Sequence, residues 1–589
     1  MTAKTRLELT WIGKDNRPRV EPRILIEDER LSHHAATRRE GDLFDNVLIH
    51  GDNLLALRAL EQDFTGKVKC VYIDPPFNTQ QAFDHYDDGI EHSIWLSLIR
   101  DRLQIIHRLL ASDGTLFVHI DDNELAYLTV LADEIFGRNN RISIATFKQG
   151  AATGHKSINP GLVSTSNFIL IYARDKSSWK PNKVYTSRVE RDKRYGQFIE
   201  NLNDDFPNWR FTPLTRAFAA SKGLPEKAIK KTLGDNFESE LSEFVHQNAG
   251  AVTRLARPDY NAVSAAARRL IDESKASPGR VLKLDRDGLS DIYLVGGERV
   301  LFYKDKLKLV DGEYVAGEPL TSIWDDILSN NLHNEGGVEF PKGKKPEALI
   351  KRCLELATNP SDLVLDSFGG SGTTGAVAHK MRRRWIMVEM RDQAFTHIVP
   401  RLRDVIDGSD QGGVSKAASW KGGGGYRFYR LAPSLMEKDS FGQWVIAKDY
   451  DAARLAEAMC KHLSFTYAPS DEHYWMHGRS SETDYLYVTT NSLTHEQLKT
   501  ISEEVGPDRS LLICCRAFQG AHAVDFPNLT IRKIPSAILD RCEWGRDDYS
   551  LKVAALPMAE DDPEPGAEPA GWKGSAPNQP GLFGSEDAE

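Results

Sequence analysis

The sequence predicts an α/β protein whose mostly parallel sheet is interrupted by an inserted domain. Short apolar runs typical of buried strands alternate with stretches of helical spacing over 45–175, and the same alternation returns over 346–390. A chain of 589 residues also exceeds the roughly 100–200 residues of one domain, so we expect two or three domains.

The first half of the sheet is predicted from apolar strands that end in turn residues. These strands are expected over 47–52, 67–74, 114–121 and 167–175. The helices between them repeat apolar residues at helical intervals and are expected over 53–64, 92–111 and 123–137. Strands that alternate with helices indicate βαβ units and therefore a parallel sheet.

The second half repeats the pattern after a long interruption. A helix over 346–357 leads to a strand over 362–368, a glycine loop leads into a second helix, and a strand over 383–390 follows. Between the halves lie basic helical stretches and hairpin-like pieces that lack the alternation. We therefore expect both halves to build one sheet domain and the intervening segment to fold separately.

Composition completes the predicted domain layout. The segments are an N-terminal extension over 1–44, the two halves of the sheet domain over 45–178 and 321–410, an insert over 179–320, a Gly-rich linker over 411–429, a C-terminal α+β domain over 430–556, and a disordered acidic tail over 557–589.

The net charge of −10 does not exclude a nucleic-acid partner. The tail alone carries eight acids against one base, which leaves −3 for the rest of the chain. Residues 181–280 hold 17 Lys and Arg against 13 Asp and Glu. Because phosphate binding follows local charge, composition leaves DNA binding open.

Targeting and metal signals are missing from the sequence. The N-terminus has no apolar signal segment, no apolar run approaches the length of a membrane span, and six cysteines form no CxxC pair. This cysteine usage is typical of a reducing, cytoplasmic compartment, and we assign no metal to the cysteines or to the 17 histidines.

A glycine loop marks a ligand site where a strand turns into a helix. Asp366 and Phe368 precede Gly370, Gly372 and Gly375, which satisfy G-x-G-x-x-G, and glycines there let the backbone approach a ligand. The acid Glu389 ends the next strand, where a carboxylate would contact ribose hydroxyls. The pattern fits NAD, FAD or S-adenosylmethionine equally, and a packing-driven turn is the alternative.

The tetrad Asp74-Pro75-Pro76-Phe77 follows a buried strand at the edge where open α/β sheets bind ligands. Neither proline has an N–H, so the Asp74 carboxylate and the Pro75 carbonyl can both act as acceptors. Two acceptors beside an aromatic ring suit a planar group that carries an NH2, such as a base with an exocyclic amine. A simple turn after a strand is the alternative.

Together these segments resemble the amino-methyltransferases of DNA. The tetrad matches their D-P-P-Y/F motif, Phe368 to Gly372 matches their F-x-G-x-G loop, and the tetrad-first order is that of the β group. Runs over roughly 45–175 and 320–430 are similar to the modification subunits of type III restriction–modification systems. The likeness does not extend to the insert or to the region beyond 430.

The resemblance implies a Rossmann-like sheet with permuted motif order that binds S-adenosylmethionine. It implies that the tetrad is catalytic, and that the cofactor contacts the glycine loop, Glu389, Asp52 and Lys345. Asp at the first tetrad position is typical of adenine N6 enzymes, whereas cytosine N4 enzymes more often carry Ser. Most type III modification subunits end the tetrad with Tyr; since stacking needs only a ring, we expect Phe77 to serve.

The function predicted from these features is a site-specific adenine N6-methyltransferase of double-stranded DNA. The implied partners are a second copy of the chain and a separate helicase–nuclease restriction subunit. Alternatives are a solitary methyltransferase acting on adenine N6 or cytosine N4, an NAD- or FAD-dependent oxidoreductase, and a non-catalytic DNA-binding protein. In the tail, Gln579 to Phe583 resembles the Q-x-x-L-F peptide that docks on the bacterial sliding clamp, with an inert tail as the alternative.

Overall fold

The computed structural model describes residues 8–77, 88–150, 162–187, 190–327, 332, 335–338, 340, 344–519 and 525–550, with side chains in the helix over 88–109 described from His92. Within these residues, no helix is both long and apolar enough to cross a bilayer. The predicted tail and its Gln579–Phe583 peptide lie outside the described residues.

The described residues of the first part of the chain form seven strands and three α-helices. The strands are β1 (Leu25–Glu27), β2 (His33–His34), β3 (Asn46–His50), β4 (Val68–Ile73), β5 (Leu110–Ile120), β6 (Arg141–Lys148) and β7 (Ser166–Ala173). The helices are α1 (Asn53–Phe64), α2 (Asp88–Leu109) and α3 (Leu125–Ala132).

The interrupting segment forms two small antiparallel sheets and four helices. Its strands are β8 (Tyr185–Ser187), β9 (Gln197–Ile199), β10 (Phe211–Pro213), β11 (Val252–Ala256), β12 (Leu282–Leu284), β13 (Ile292–Val295), β14 (Glu298–Phe302), β15 (Leu307–Val310) and β16 (Glu313–Pro319). Its helices are α4 (Leu214–Ser221), α5 (Glu226–Leu233), α6 (Phe237–Gln247) and α7 (Ala265–Ala276). Buried residues such as Phe218 and Val252 give this segment a core of its own.

The chain then returns to the large sheet. The strands are β17 (Ile323–Trp324), β18 (Leu363–Asp366), β19 (Arg384–Glu389) and β20 (Gly425–Leu431). The helices are α8 (Glu347–Ala357), α9 (Thr373–Lys380) and α10 (Val399–Asp407).

The large sheet has eleven strands in the order β1-β20-β3-β19-β18-β4-β5-β7-β6-β17, with β2 beside β20. Strand side chains alternate between its two faces: Val71 packs with α1, α2 and α3, whereas Tyr72 packs with α8, α9 and α10. Helices on both faces of a largely parallel sheet make it doubly wound, which confirms the predicted α/β class.

The C-terminal region packs around separate cores. Its strands are β21 (Met436–Lys438), β22 (Trp444–Ile446), β23 (Thr466–Tyr467), β24 (Gly478–Arg479), β25 (Asp484–Val488), β26 (Ser492–Leu493), β27 (Ser510–Cys515), β28 (Ala517–Phe518) and β29 (Leu529–Lys533). Its helices are α11 (Ala452–Leu463) and α12 (His495–Val505). Ile24 of the N-terminal segment is buried in one of these cores.

The structure departs from the predicted layout at three places. Residues 425–431, placed in the linker and C-terminal domain, form β20 and pair in parallel with β3, because the alternating aromatics Tyr426 and Phe428 are buried at the sheet edge. The N-terminal extension contributes β1 and β2, which pair with β20. Beyond β5, β7 is antiparallel to β5 and to β6, a strand that the sequence pattern missed, and β17 then pairs in parallel with β6.

Candidate active site

The tetrad and the glycine loop meet at one edge of the sheet although about 290 residues separate them. β18 pairs in parallel with β4 on one side and with β19 on the other, so the segments that follow these strands lie together. A cavity of about 530 Å³ lies there. Ten of the eleven predicted site residues line it, namely Asp52, Asp74, Pro75, Pro76, Phe77, Lys345, Asp366, Phe368, Gly370 and Glu389.

The Asp74 carboxyl group has one paired oxygen and one unpaired oxygen. Oδ2 lies 2.7 Å from Nζ of Lys345. Oδ1 is buried and has no hydrogen-bond partner among the residues that the structure describes. Burial raises the pKa of Asp74, and the charge of Lys345 partly offsets that rise. The cavity therefore presents a buried acceptor that lacks a donor.

The remaining tetrad residues are held by side chains from other elements. The indole Nε1 of Trp95 donates a 2.9 Å hydrogen bond to the Pro76 carbonyl. The Phe77 ring has Nζ of Lys345 at 5.1 Å from its centroid and the His119 ring at 5.9 Å. Phe77 therefore lies between a cation and a second ring.

His119 belongs to a buried polar network that sequence reasoning missed. Its Nδ1 lies 3.0 Å from the Tyr72 hydroxyl, and its Nε2 lies 3.0 Å from the Asn167 amide nitrogen. Burial holds the pKa of His119 well below its usual range, with the charge of Lys345 adding to the effect. A neutral His119 can satisfy both partners and fix the ring beside Phe77. The sequence signal for this network is that polar residues interrupt otherwise apolar strands.

The glycine loop is shaped by hydrogen bonds to the two acids beside it. Asp366 accepts from the Thr374 hydroxyl at 2.6 Å and from the Phe368 amide at 2.9 Å. Glu389 accepts from the Gly370 amide at 2.7 Å. Two loop amides thus already donate to carboxylates. They are not free to bind the diphosphate of a dinucleotide, which needs amide donors at this position.

Gly372 differs from the other predicted residues because it is absent from the cavity lining. Its φ of +78° lies in the left-handed region, and it begins α9. An added Cβ would lie 3.1 Å from Cγ2 of Ile398. A side chain at Gly372 would therefore meet Ile398 behind the loop rather than the cavity.

Carboxyl groups dominate the loop end of the cavity. Burial raises the pKa of Asp366 to about 7, and the charges of Asp74 and Glu389 add to the rise. Burial also raises the pKa of Glu389. A cationic ligand would stabilise both carboxylates, whereas a diphosphate would be repelled.

Asp52 also lines the cavity, and both of its carboxylate oxygens already accept hydrogen bonds from backbone amides. Oδ1 accepts from the amides of Leu54 and Leu55 and so caps α1. Oδ2 accepts a 3.0 Å hydrogen bond from the Tyr549 amide and lies 3.5 Å from the Arg102 guanidinium. The segment around Tyr549 was not predicted at this site, because about 500 residues separate it from Asp52.

Comparison with known proteins places the sheet domain among DNA-modifying enzymes. The profile of the DNA methylase family matches residues 68–400. The "Probable type III restriction-modification enzyme HindVI Mod subunit" of Haemophilus influenzae is 32% identical over 507 residues, covering 78% of this chain and 66% of the relative. This chain thus spans just under two thirds of that relative's length.

Two further proteins extend the comparison. The type III restriction-modification enzyme EcoP15I Mod subunit of Escherichia coli is 22% identical over 581 residues, covering 86% of this chain and 85% of the relative. The solved PvuII DNA methyltransferase (cytosine-N4-specific) is 14% identical to this chain. The match covers 65% of this chain and 94% of the PvuII chain, with a TM-score of 0.29.

Proposed function

This chain belongs to the DNA methylase family, and from that premise we propose that it transfers a methyl group from S-adenosylmethionine to adenine N6 in double-stranded DNA. One observation carries the proposal. Asp74 Oδ1 is a buried acceptor without a donor among the described residues, and it lies beside an aromatic ring at a cavity of about 530 Å³ at the edge of the sheet. An exocyclic amine supplies the missing donor.

The roles of the tetrad follow from this geometry. Asp74 Oδ1 and the Pro75 carbonyl accept the two N–H bonds of the amine, and Phe77 stacks on the base. The adenine must leave the duplex to reach them, at a cost of a few kcal/mol. As N6 takes up the methyl group it releases one proton, and the raised pKa of Asp74 suits that carboxylate to receive it.

The proposed cofactor site consists of Asp52, Lys345, Asp366, Phe368, Gly370, Gly372 and Glu389. S-adenosylmethionine supplies an activated sulfonium methyl group, so the chain has to align two reactants rather than create a reactive species. The buried acids Asp366 and Glu389 suit the cationic groups of this molecule. Gly372 contributes by shaping the loop, since it does not line the cavity.

The oxidoreductase alternative loses its support at the same loop. A dinucleotide needs free amides for its diphosphate, and the amides of Phe368 and Gly370 already donate to carboxylates. The alternative also gives no role to the tetrad.

Within the family we propose that the chain is the modification subunit of a type III restriction–modification system. Support comes from relatives named as Mod subunits at 32% and 22% identity, one of them aligned over most of both chains. A separate restriction subunit, a second copy of the chain and a sliding clamp are further proposals. Cytosine N4 methylation is disfavoured by the Asp at the first tetrad position.

The test compares Asp74→Ala with the exposed Asp508→Ala as a matched control. We expect Asp74→Ala to lower methyl transfer to duplex DNA by at least roughly 100-fold, as expected when a positioned proton acceptor is lost. Binding of S-adenosylmethionine should change little, because Asp74 is assigned to the target amine. Transfer is measured with labelled S-adenosylmethionine, and the product base by mass spectrometry of nucleosides.

Two outcomes would overturn the assignment. Near-wild-type transfer by Asp74→Ala would remove the catalytic role of the tetrad. N4-methylcytosine as the product would leave the chemistry intact but change the target base.

A further inference from the structure

A second cleft, distinct from the candidate active site, is lined by an excess of basic side chains. It has a volume of about 430 Å³ and lies where the N-terminal segment, α1, α2 and the C-terminal region meet. We define the basic cleft by its six cations: Arg17, Arg19, Arg58, Arg108, Lys461 and Arg541. The single acid in its lining, Asp101, is paired with Arg100 at 2.7 Å.

Two of these cations share one acid, and the other four have no direct ion pair with a described residue. Arg58 and Arg108 both contact Glu61. Within the described part of the chain, the side chains of the other four form no ion pair. Lys461 donates to the Ala59 carbonyl at 3.1 Å, and Arg541 donates to the His462 carbonyl at 2.8 Å. Carbonyls do not neutralise these charges, and Asp101 and Glu457 offset Arg17 and Lys461 only through space, so an anion in the cleft would be stabilised.

The basic cleft also contains a buried nitrogen without a partner. His462 lines the cleft and is only 5% exposed, and its Nε2 has no hydrogen-bond partner among the described residues. Burial lowers the pKa of His462 to about 3, with the charges of Arg541 and Arg58 adding to the effect. Because buried polar atoms in folded proteins are nearly always hydrogen-bonded, this nitrogen indicates a polar ligand.

Three helices place side chains of the basic cleft around one cavity. On α2, Asp101, Gln104, Ile105 and Arg108 have the spacing of a single helix face, and all four line the cleft. Arg58 extends from α1 on one side, and Lys461 and His462 come from the last turn of α11 on another. The helices α1, α2 and α11 thus each contribute donors to the same cavity.

We propose that the basic cleft is a phosphate-binding site that takes a ligand with several clustered phosphate groups. Guanidinium forks match phosphate oxygens in two-point hydrogen bonds, and a neutral histidine can donate through Nε2. The cleft volume lies within the usual range of small-ligand sites. A nucleoside triphosphate and the backbone of a nucleic acid share this chemistry. The inference does not depend on the methyltransferase assignment.

The experiment is a calorimetric titration of the full chain with tripolyphosphate. The variants are Arg17→Gln, whose side chain makes one long contact to Gln104 at 3.4 Å, and Lys461→Gln. Each should weaken binding roughly tenfold or more, because each removes a charge-assisted hydrogen bond. The exposed Lys416→Gln is the matched control and should bind as the wild type does. Circular dichroism and melting temperature verify that each variant is folded.

Competition then identifies the source of the phosphate groups. Displacement of tripolyphosphate by duplex DNA would assign the cleft to a nucleic-acid backbone, and displacement by a nucleoside triphosphate alone would assign it to a free nucleotide. The proposal is overturned if tripolyphosphate shows no saturable binding at millimolar concentration. It is equally overturned if folded Arg17→Gln and Lys461→Gln both bind as tightly as Lys416→Gln.

Discussion

At the scale of single residues, two opposing effects act on the Asp74 carboxyl group. Burial disfavours its charged form, and Lys345 at 2.7 Å favours it. The net result is a raised pKa, so the ionised form that accepts hydrogen bonds is lost as the pH falls through a value above the ordinary one. Lys345, assigned from sequence to the cofactor, thus has a second contact that sets the charge of Asp74.

Replacing Lys345 by Met should therefore move the acid limb of the pH–rate profile to higher pH. Without the cation, only burial acts on Asp74, and its pKa rises further. Initial rates at saturating S-adenosylmethionine over about pH 5 to 9 would measure the shift. Lys416→Met is the control for loss of a lysine charge. An acid limb that stays in place in folded Lys345→Met would mean that Lys345 does not tune Asp74.

At the scale of elements, the turn from β18 into α9 requires glycine at position 372, although this residue does not line the cavity. Gly372 begins the helix at a φ of +78°, and the Ile398 side chain packs at 3.1 Å from where a Cβ would lie. The residue therefore shapes the loop through its backbone and its close packing. Gly370, by contrast, lines the cavity and has room for a Cβ, with the nearest atom at 3.8 Å.

Gly372→Ala should weaken binding of S-adenosylmethionine through this turn. The left-handed conformation costs an alanine roughly 1–2 kcal/mol, and contact with Ile398 adds to the displacement of the loop. Gly442→Ala is a close control, because Gly442 has a φ of +76° but no atom within 4 Å of an added Cβ. Calorimetry should show loss of affinity for Gly372→Ala only. Equal affinity in the two variants would leave Gly372 without a role in the cofactor site.

At the scale of the whole molecule, the insert has a core that is distinct from the cores of the sheet. That core contains residues such as Phe218 and Val252, and none of the insert's described residues lines the candidate active site. The insert also carries an excess of basic residues over acidic ones across 181–280. We propose that this insert contacts DNA while the sheet domain carries the chemistry.

Replacing residues 193–304 by a short Gly-Ser linker should spare cofactor binding and abolish site-specific DNA binding. The remaining affinity for DNA should fall less steeply with salt, because the slope of log K against log salt is about −0.9 per phosphate contact. Fluorescence anisotropy with a labelled duplex at several salt concentrations measures both quantities. A replaced chain that still methylates the same site would place target recognition elsewhere, most directly in 430–556.

Much of the site could be predicted because its signals are local. The tetrad and the glycine loop each follow a strand within a few residues, and the resemblance to DNA amino-methyltransferases that they carry is confirmed by the family match over 68–400. The supporting contacts were not predictable in this way. Trp95, His119 and Tyr549 act through partners outside their own local sequence, and of the three only His119 carries a local signal, as a polar residue in an otherwise apolar strand.

The sequence by itself determined the strand–helix alternation, the two motifs and their positions at strand ends, because periodicity and turn chemistry depend on neighbouring residues. Only the tertiary structure decided that β4 and β18 are adjacent, that Lys345 pairs with Asp74, that the Tyr549 amide donates to Asp52, and that six cations line one cleft with His462. Strand order and side-chain pairing across hundreds of residues result from how the layers pack, and packing is a property of the whole chain.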